Sequence, residues 1–372
     1  MVKGKPRKND FIVIPSLKNP RVVVPFNNKE ITKKINLYKP HGKMGRIYKS
    51  IITLGDSFLV KSGIPLISKI RPLRYTDLLE NIMSVCKQIF KKNSIQFSIY
   101  VGTPGKHQKL VLEISDEFGE KLGYAKIGFN KETVKLIENE IKALNILEKD
   151  LGFSNTPKAL YCFSGKGVSF SIQKPVDSFY SDNGQLNDIH INFLYNLYSK
   201  TYSVDCSEIF IDNIENNLSN LSECINGEIL KVLNDATNYI KGNTDTLQYT
   251  AVHGDFAPWN IFHSTDKIYV IDWEYFDDKG LIYEDLLHYI LQYEILVKKH
   301  IEAASLIKLI FENRHINKYS YLVNNVNVKD YLILYLLKMI IYQIQVDGLN
   351  KTNLLENRLV QIRIKMLKEL LK

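Results

Sequence analysis

Apolar and polar positions follow two rhythms along this chain. Up to about residue 75, short apolar runs such as Phe11–Ile14 and Arg21–Val24 are broken by Pro15, Pro20, Pro25, Pro40, Pro65 and Pro72, which predicts short strands and loops. The period then changes. Leu78, Leu79, Ile82, Val85, Cys86 and Ile89 recur at helical spacing within Asp77–Lys92, with acidic residues in the first turn and Lys91 and Lys92 in the last, as the helix dipole favours. Three strands are predicted next, at Ile95–Val101, Lys109–Ile114 and Leu122–Ile127. A helix from about Lys131 to Lys149 places Val134, Ile137, Ile141, Leu144 and Leu147 on one face. Ala159–Phe163 and Val168–Gln173 read as two further strands around the turn Ser164–Gly167. Beyond Pro175 the pattern is mostly helical to the end, with one strand–loop–strand insert at Tyr249–Asp272. The expectation is an α+β protein of two lobes, a small antiparallel sheet lobe with one main helix and a larger helical lobe. A basic N-terminal extension precedes them, and the expected divisions are 1–95, 96–176 and 177–372.

Composition narrows the class. The chain has 372 residues, 45% hydrophobic and 24% charged, a balance that excludes wholesale disorder, collagen and coiled coil. No apolar run approaches the ~20 residues of a membrane-spanning helix. The nearest, Tyr331–Ile344, is interrupted by Lys338. The opening MVKGKPRKND is basic and lacks an apolar stretch, so no secretory leader is expected. Cys86, Cys162, Cys206 and Cys224 are scattered without a CxxC pair, as in a reduced cytoplasmic protein.

Charge adds an asymmetry. Residues 1–95 carry 20 Lys and Arg against 5 Asp and Glu, a balance of +15; the remainder carries −6, giving the net +9. Such an excess attracts anions at long range. No Lys/Arg run exceeds two residues and no aromatic-interleaved basic motif accompanies it, so no nucleic-acid partner is expected. A solvated basic surface docked on the acidic remainder, and peripheral contact with an anionic membrane or lipid-linked glycan, both stay open. No protein partner is inferred.

The stretch YTAVHGDFAPWNIFHSTDKIYVID concentrates the chemistry. Thr250–Val252 leads in as a strand, His253-Gly254-Asp255 lies in the loop, Asn260 follows, and Lys267–Ile271 is a second strand ended by Asp272. Two carboxylates and a carboxamide at the ends of adjacent short strands can converge on one point. Mg²⁺ takes oxygen donors of this kind together with phosphate oxygens, and a phosphoryl acceptor hydroxyl needs a carboxylate to orient it.

HGDFAPWN followed by VIDWE resembles the aminoglycoside phosphotransferase and choline kinase family, which shares the protein-kinase-like fold; the resemblance covers about residues 96–372. It implies that Asp255 is the catalytic aspartate, that Asn260 and Asp272 hold Mg²⁺, and that His253 braces the loop. It also implies ATP as cofactor. Lys126, at the end of a strand, looks like the lysine that holds the nucleotide phosphates. Glu140, on the buried edge of the following helix, faces it; Glu138, about 160° round the wheel, is the competing choice. Gly102, Thr103 and Gly105 lie in the turn expected to cover the phosphates, although this is not a Walker A sequence. Gln173, Lys174 and Val176 fall where the family's hinge meets adenine, and Pro175 removes one donor there.

Only eleven residues separate Asp272 from Glu284, too few for a protein kinase's activation segment. The expected function is therefore an ATP- and Mg²⁺-dependent small-molecule kinase. Its acceptor is a hydroxyl on a sugar, aminoglycoside-like compound or amino-alcohol, glycan- or lipid-linked forms included. The alternative is a catalytically silent nucleotide-binding module acting through its basic N-terminal region. Trp259 and Trp273 read as core or as acceptor-pocket walls. The acidic cluster Asp277, Asp278, Glu284 and Asp285 reads as a helix N-terminus or as a receiver of a cationic substrate. Leu354–Lys372 reads as a basic-faced closing helix.

Overall fold

A computed structural model describes residues 11–16, 19–25, 68–70, 76–102, 104–175, 180–223, 225–324, 326–349, 354 and 356–372. Contacts divide these into two units: the described residues through Gly152 with 157–175, and Phe153–Thr156 with 180–372.

The first unit is built on strands Phe11–Ser16 (β1), Asn19–Pro25 (β2) and Ser68–Ile70 (β3), helix Thr76–Phe90 (α1), and strands Gln96–Val101 (β4), Leu110–Ser115 (β5) and Lys121–Gly128 (β6). Helix Lys131–Asn145 (α2), ending in a π turn, and strands Ala159–Gly165 (β7) and Val168–Gln173 (β8) complete it. All eight strands join one antiparallel sheet in the order β3-β1-β2-β4-β5-β6-β8-β7. Alternate residues of the central strands, among them Phe97, Ile99, Leu112, Ile114, Ala125 and Ile127, meet Ile82 and Cys86 of α1 in one core. The described pieces of residues 1–95 belong to this unit. β2 pairs with β4 through Val22–Tyr100 and Val23–Ile99, and Val22, Val23 and Val24 are buried. Full burial of a valine is worth roughly 1.5–3 kcal/mol, enough to draw this strand onto the sheet from a segment whose charge otherwise favours water.

The second unit is mainly helical. Strand Tyr180–Ser181 (β9), helix Asp188–Thr201 (α3), strand Ser203–Cys206 (β10), and helices Ser207–Leu221 (α4) and Gly227–Asn243 (α5) lead to strand Thr246–Val252 (β11). Strands Ile261–His263 (β12), Ile268–Val270 (β13) and Asp277–Leu281 (β14) follow. Helices Glu284–Gln292 (α6), Ala303–Phe311 (α7), Arg314–Leu322 (α8), Val328–Asp347 (α9) and Arg358–Leu370 (α10) close the chain. The strands form two small sheets, β10-β11-β14 and β13-β12-β9. β9, β10 and β14 depart from the expectation of a single strand–loop–strand insert. They are two to five residues long, and β14 reads DDKGL; cross-strand pairing with β11, such as Tyr249–Leu281, holds it extended where propensity does not. The longest apolar run is core: Tyr331 through Leu337 of α9 are all buried. No described helix is long and apolar enough to cross a membrane.

Candidate functional site

β11 delivers the chain into the loop His253-Gly254-Asp255. Gly254 sits at φ +81°, where a Cβ would lie 2.4 Å from the carbonyl oxygen of Tyr275, so the turn admits only glycine. His253 is buried, and burial holds its imidazole below the usual pKa, hence neutral. Its Nε2–H donates to the Ile271 carbonyl at 2.8 Å while Nδ1 accepts the Asp255 N–H at 3.1 Å, and its ring stands edge-on to Trp273. The histidine thus ties the loop to the chain entering Asp272. Asn260 completes the connection. Its Nδ2 donates to both the carbonyl oxygen and Oδ2 of Asp255 at 2.9 Å, and its backbone carbonyl accepts the Ile271 N–H. Asp272 adopts the left-handed conformation, φ 69° and ψ 54°, which aspartate tolerates better than most residues. Asp255 and Asn260 therefore touch directly, and Asp272 is carried to them through Ile271.

The other Asp255 oxygen, Oδ1, lies 3.0 Å from His288 Nε2 on α6. His288 Nδ1 lies 3.1 Å from the hydroxyl of Tyr335 on α9. With the proton on Nε2, Tyr335 donates to His288 and His288 to Asp255. Asp285, one helical turn before His288, accepts the backbone N–H groups of His253 at 2.7 Å and Gly254 at 3.0 Å. Burial pushes its carboxyl up to about 7. Glu284 is buried beside it and takes the Lys338 ammonium at 2.7 and 2.8 Å. The inner half of the acidic cluster is thus internal bracing rather than a cationic receptor. Trp273 is core, its indole N–H donating to the Val270 carbonyl, whereas Trp259 is partly exposed.

In the first unit, Lys126 Nζ on β6 meets Glu140 Oε1 on α2 at 2.6 Å, with the lysine side chain 13% exposed and the glutamate 0%. Glu138 faces outward and accepts the Ser164 hydroxyl. The β4–β5 turn is tethered to α2 because Asn130, its N-cap, donates Nδ2–H to the Lys106 carbonyl. Gly102 uses its own N–H on Lys109 O, and its carbonyl accepts from Gln108 Nε2 and Arg21 Nη1. Gly105, at φ +151°, caps the turn by accepting the Gln108 N–H. Lys174 N–H is bonded to Lys158 O, while Gln173 is buried with no partner for Nε2 among the described residues. Thr103 and Val176 lie outside the described residues.

The donor set of Asn260 and Asp272, beside the Asp255 carboxylate, suits a hard cation. The amide nitrogen of Asn260 is engaged twice by Asp255, which directs Oδ1 away from that residue, and the remaining groups are carboxylate oxygens.

No protein-family model and no curated protein matches the sequence. Solved structures do. A Haemophilus somnus protein described as a fructosamine-3-kinase is 14% identical, with 78% of this chain and 97% of that chain covered at a TM-score of 0.49. An aminoglycoside phosphotransferase from Streptomyces rimosus, solved with ADP and streptomycin, is 12% identical over 72% and 98% at 0.42. A glucosamine kinase solved with glucosamine, ADP and phosphate is 11% identical over 83% and 86% at 0.43.

Proposed function

We propose that this chain is an ATP- and Mg²⁺-dependent phosphotransferase whose acceptor is a hydroxyl group of a small molecule of the sugar, aminoglycoside-like or amino-alcohol class. The observation that carries the reading is the hydrogen-bonded cluster of Asp255, Asn260 and the chain leading into Asp272, with both Asp255 oxygens engaged. Asn260 and Asp272 would hold Mg²⁺, which neutralises charge on the nucleotide phosphates when bound. Asp255, fixed by Asn260 on one oxygen and His288 on the other, orients the acceptor hydroxyl and receives its proton. In a loose, metaphosphate-like transition state, orientation matters more than basicity, which suits a carboxylate whose lone pairs are already engaged by donors. Lys126, held by Glu140, supplies the cation for the nucleotide phosphates.

The test is ADP release from purified full-length protein with ATP, Mg²⁺ and a panel of amino sugars, aminoglycosides and amino-alcohols. Acceptor-dependent release that falls at least about 100-fold in Asp255→Asn, with ATP affinity close to unchanged, is expected. ATP binding without acceptor-dependent turnover across the panel would point instead to a silent nucleotide-binding module.

A further inference from the structure

A second cluster of metal-ligating side chains lies in the helical unit and shares no residue with the set assigned to phosphoryl transfer. Asp182 follows β9, His190 occupies the first turn of α3, and His263 ends β12. Their ligand atoms all lie within 4.8 Å of one another. The side chains of Asp182 and His190 are 0% exposed and that of His263 19%.

Asp182 Oδ2 faces both imidazoles. It lies 2.9 Å from His190 Nε2 and in close contact with His263 Nε2. Oδ1 accepts the Tyr289 hydroxyl at 2.7 Å and the Gly184 N–H at 2.6 Å. The Asp182 side chain is thus engaged at both oxygens while being 0% exposed. A buried carboxylate requires a positive partner. Among the described residues no Lys or Arg pairs with it, and only the two histidines do.

The proton on His190 distinguishes the sources of that charge. His190 Nδ1 lies 2.9 Å from Asn187 Oδ1 and 3.2 Å from the Asn187 backbone N, so each tautomer finds a partner there; with the proton on Nδ1 the ring donates to Oδ1. Nε2 then turns either a lone pair or a second proton toward Asp182. A lone pair there would be repelled by the carboxylate unless a cation lay between them. A histidine whose second nitrogen donates to a neighbouring oxygen is the usual arrangement behind a metal ligand, because it fixes the ring and its tautomer. Tyr289 orients the carboxylate in the same way. The competing arrangement, in which the Asn187 N–H donates to Nδ1 at 3.2 Å, leaves the proton on Nε2 and a purely hydrogen-bonded cluster.

We propose that Asp182, His190 and His263 bind a divalent transition cation of the zinc type, with water at a fourth position. Two imidazoles and one carboxylate make a borderline donor set that suits Zn²⁺ rather than Mg²⁺. Zinc at about 2.0–2.1 Å from each donor sets tetrahedral ligand atoms about 3.3 Å apart. The 2.9 Å separation of Asp182 and His190 therefore opens by a few tenths of an ångström, and the closer Asp182–His263 contact by more. The partly exposed edge of His263 gives the ion its way in. Bound there, the metal fastens β9 and α3 to β12, the strand that begins immediately after Asn260.

The full-length protein, stripped with chelator and dialysed, is titrated with Co²⁺ and then Zn²⁺. Expected are one equivalent of Co²⁺ with the visible bands of tetrahedral coordination, their loss on addition of Zn²⁺ but not of millimolar Mg²⁺, and a higher melting temperature with Zn²⁺. Asp182→Asn and His263→Gln should each weaken Zn²⁺ binding about 100-fold or more and abolish the thermal shift; the glutamine variant, at the exposed edge, covers the case in which the asparagine variant does not fold. Absence of bound Zn²⁺ in the wild type, or a full equivalent retained by folded His263→Gln, overturns the proposal and leaves a hydrogen-bonded cluster. Neither readout depends on turnover.

Discussion

Asp285→Ala removes the carboxyl group whose oxygens accept two backbone N–H groups of the loop bearing Asp255, at 2.7 and 3.0 Å. A buried N–H left without an acceptor costs about 1–3 kcal/mol, so the two together amount to about 2–6 kcal/mol. Burial works against the wild type. The Asp285 carboxyl is raised from 3.8 to about 7 in the folded protein, so folding favours the protonated form. The stability contributed by that form is complete below the unfolded value and is lost as pH rises through the folded one. At 1.36 kcal/mol per pH unit, the interval from about pH 5 to about pH 7 removes up to about 3 kcal/mol from the wild type and nothing from the alanine variant. The variant's deficit should therefore be largest near pH 5 and should narrow toward pH 8. Urea unfolding of both proteins across that range measures it without knowledge of the acceptor. Parallel pH profiles would show that Asp285 does not titrate as its burial requires. Unchanged stability near pH 5 would show that the two N–H bonds do not brace the loop.

Two further outcomes follow from the same geometry. Lys126→Met leaves Glu140 buried without its cation and should destabilise the protein by about 3–5 kcal/mol in denaturant unfolding, with Glu140→Gln in the same chain recovering part of the loss. His288→Ala removes the donor to Asp255 Oδ1, and, at about 1.5–3 kcal/mol for a hydrogen bond to a charged group, should lower kcat by about 10–100-fold in steady-state assays while KM for ATP stays close to constant.

Local periodicity made the sheet unit's main elements legible. Asp77–Lys92 anticipates the helix at Thr76–Phe90, and the apolar face of the next helix orients Glu140 toward Lys126 before any contact is known. Both readings rest on neighbours within a turn or two, where spacing alone fixes which side chains share a face. The asymmetry of charge is silent about fold in the same region. Twenty cationic side chains dominate the composition of residues 1–95, yet Val22, Val23 and Val24 decide where their strand goes, because apolar burial acts at contact range while the net charge is a property of the whole surface.

The braces behind Asp255 were not legible, and the reason is their separation along the chain. His288 lies 33 residues beyond Asp255, and Tyr335 a further 47. Arg363 stands in a helix whose basic character predicts a solvated face, yet it is 1% exposed. Helical spacing puts it on the stripe of Val360 and Leu367, but its charge argues the other way, and its burial is set by where α9 and α10 meet. The same holds for Asp182 and His263, 81 residues apart, each unremarkable in its own segment. Polar groups that act through one another across a core leave no periodic trace, because each is a single exception to the pattern of its own helix or strand. They become visible as a set once their hydrogen bonds are followed. In both clusters a carboxylate gathers partners from several elements: Asp255 from the Asn260 turn and α6, and Asp182 from the residues after β9, from α3, from β12 and from α6. Helix α6 therefore reaches both, through His288 and through Tyr289 one residue later, so a shift of this one helix would disturb the orientation of Asp255 and the carboxylate of the proposed metal site together.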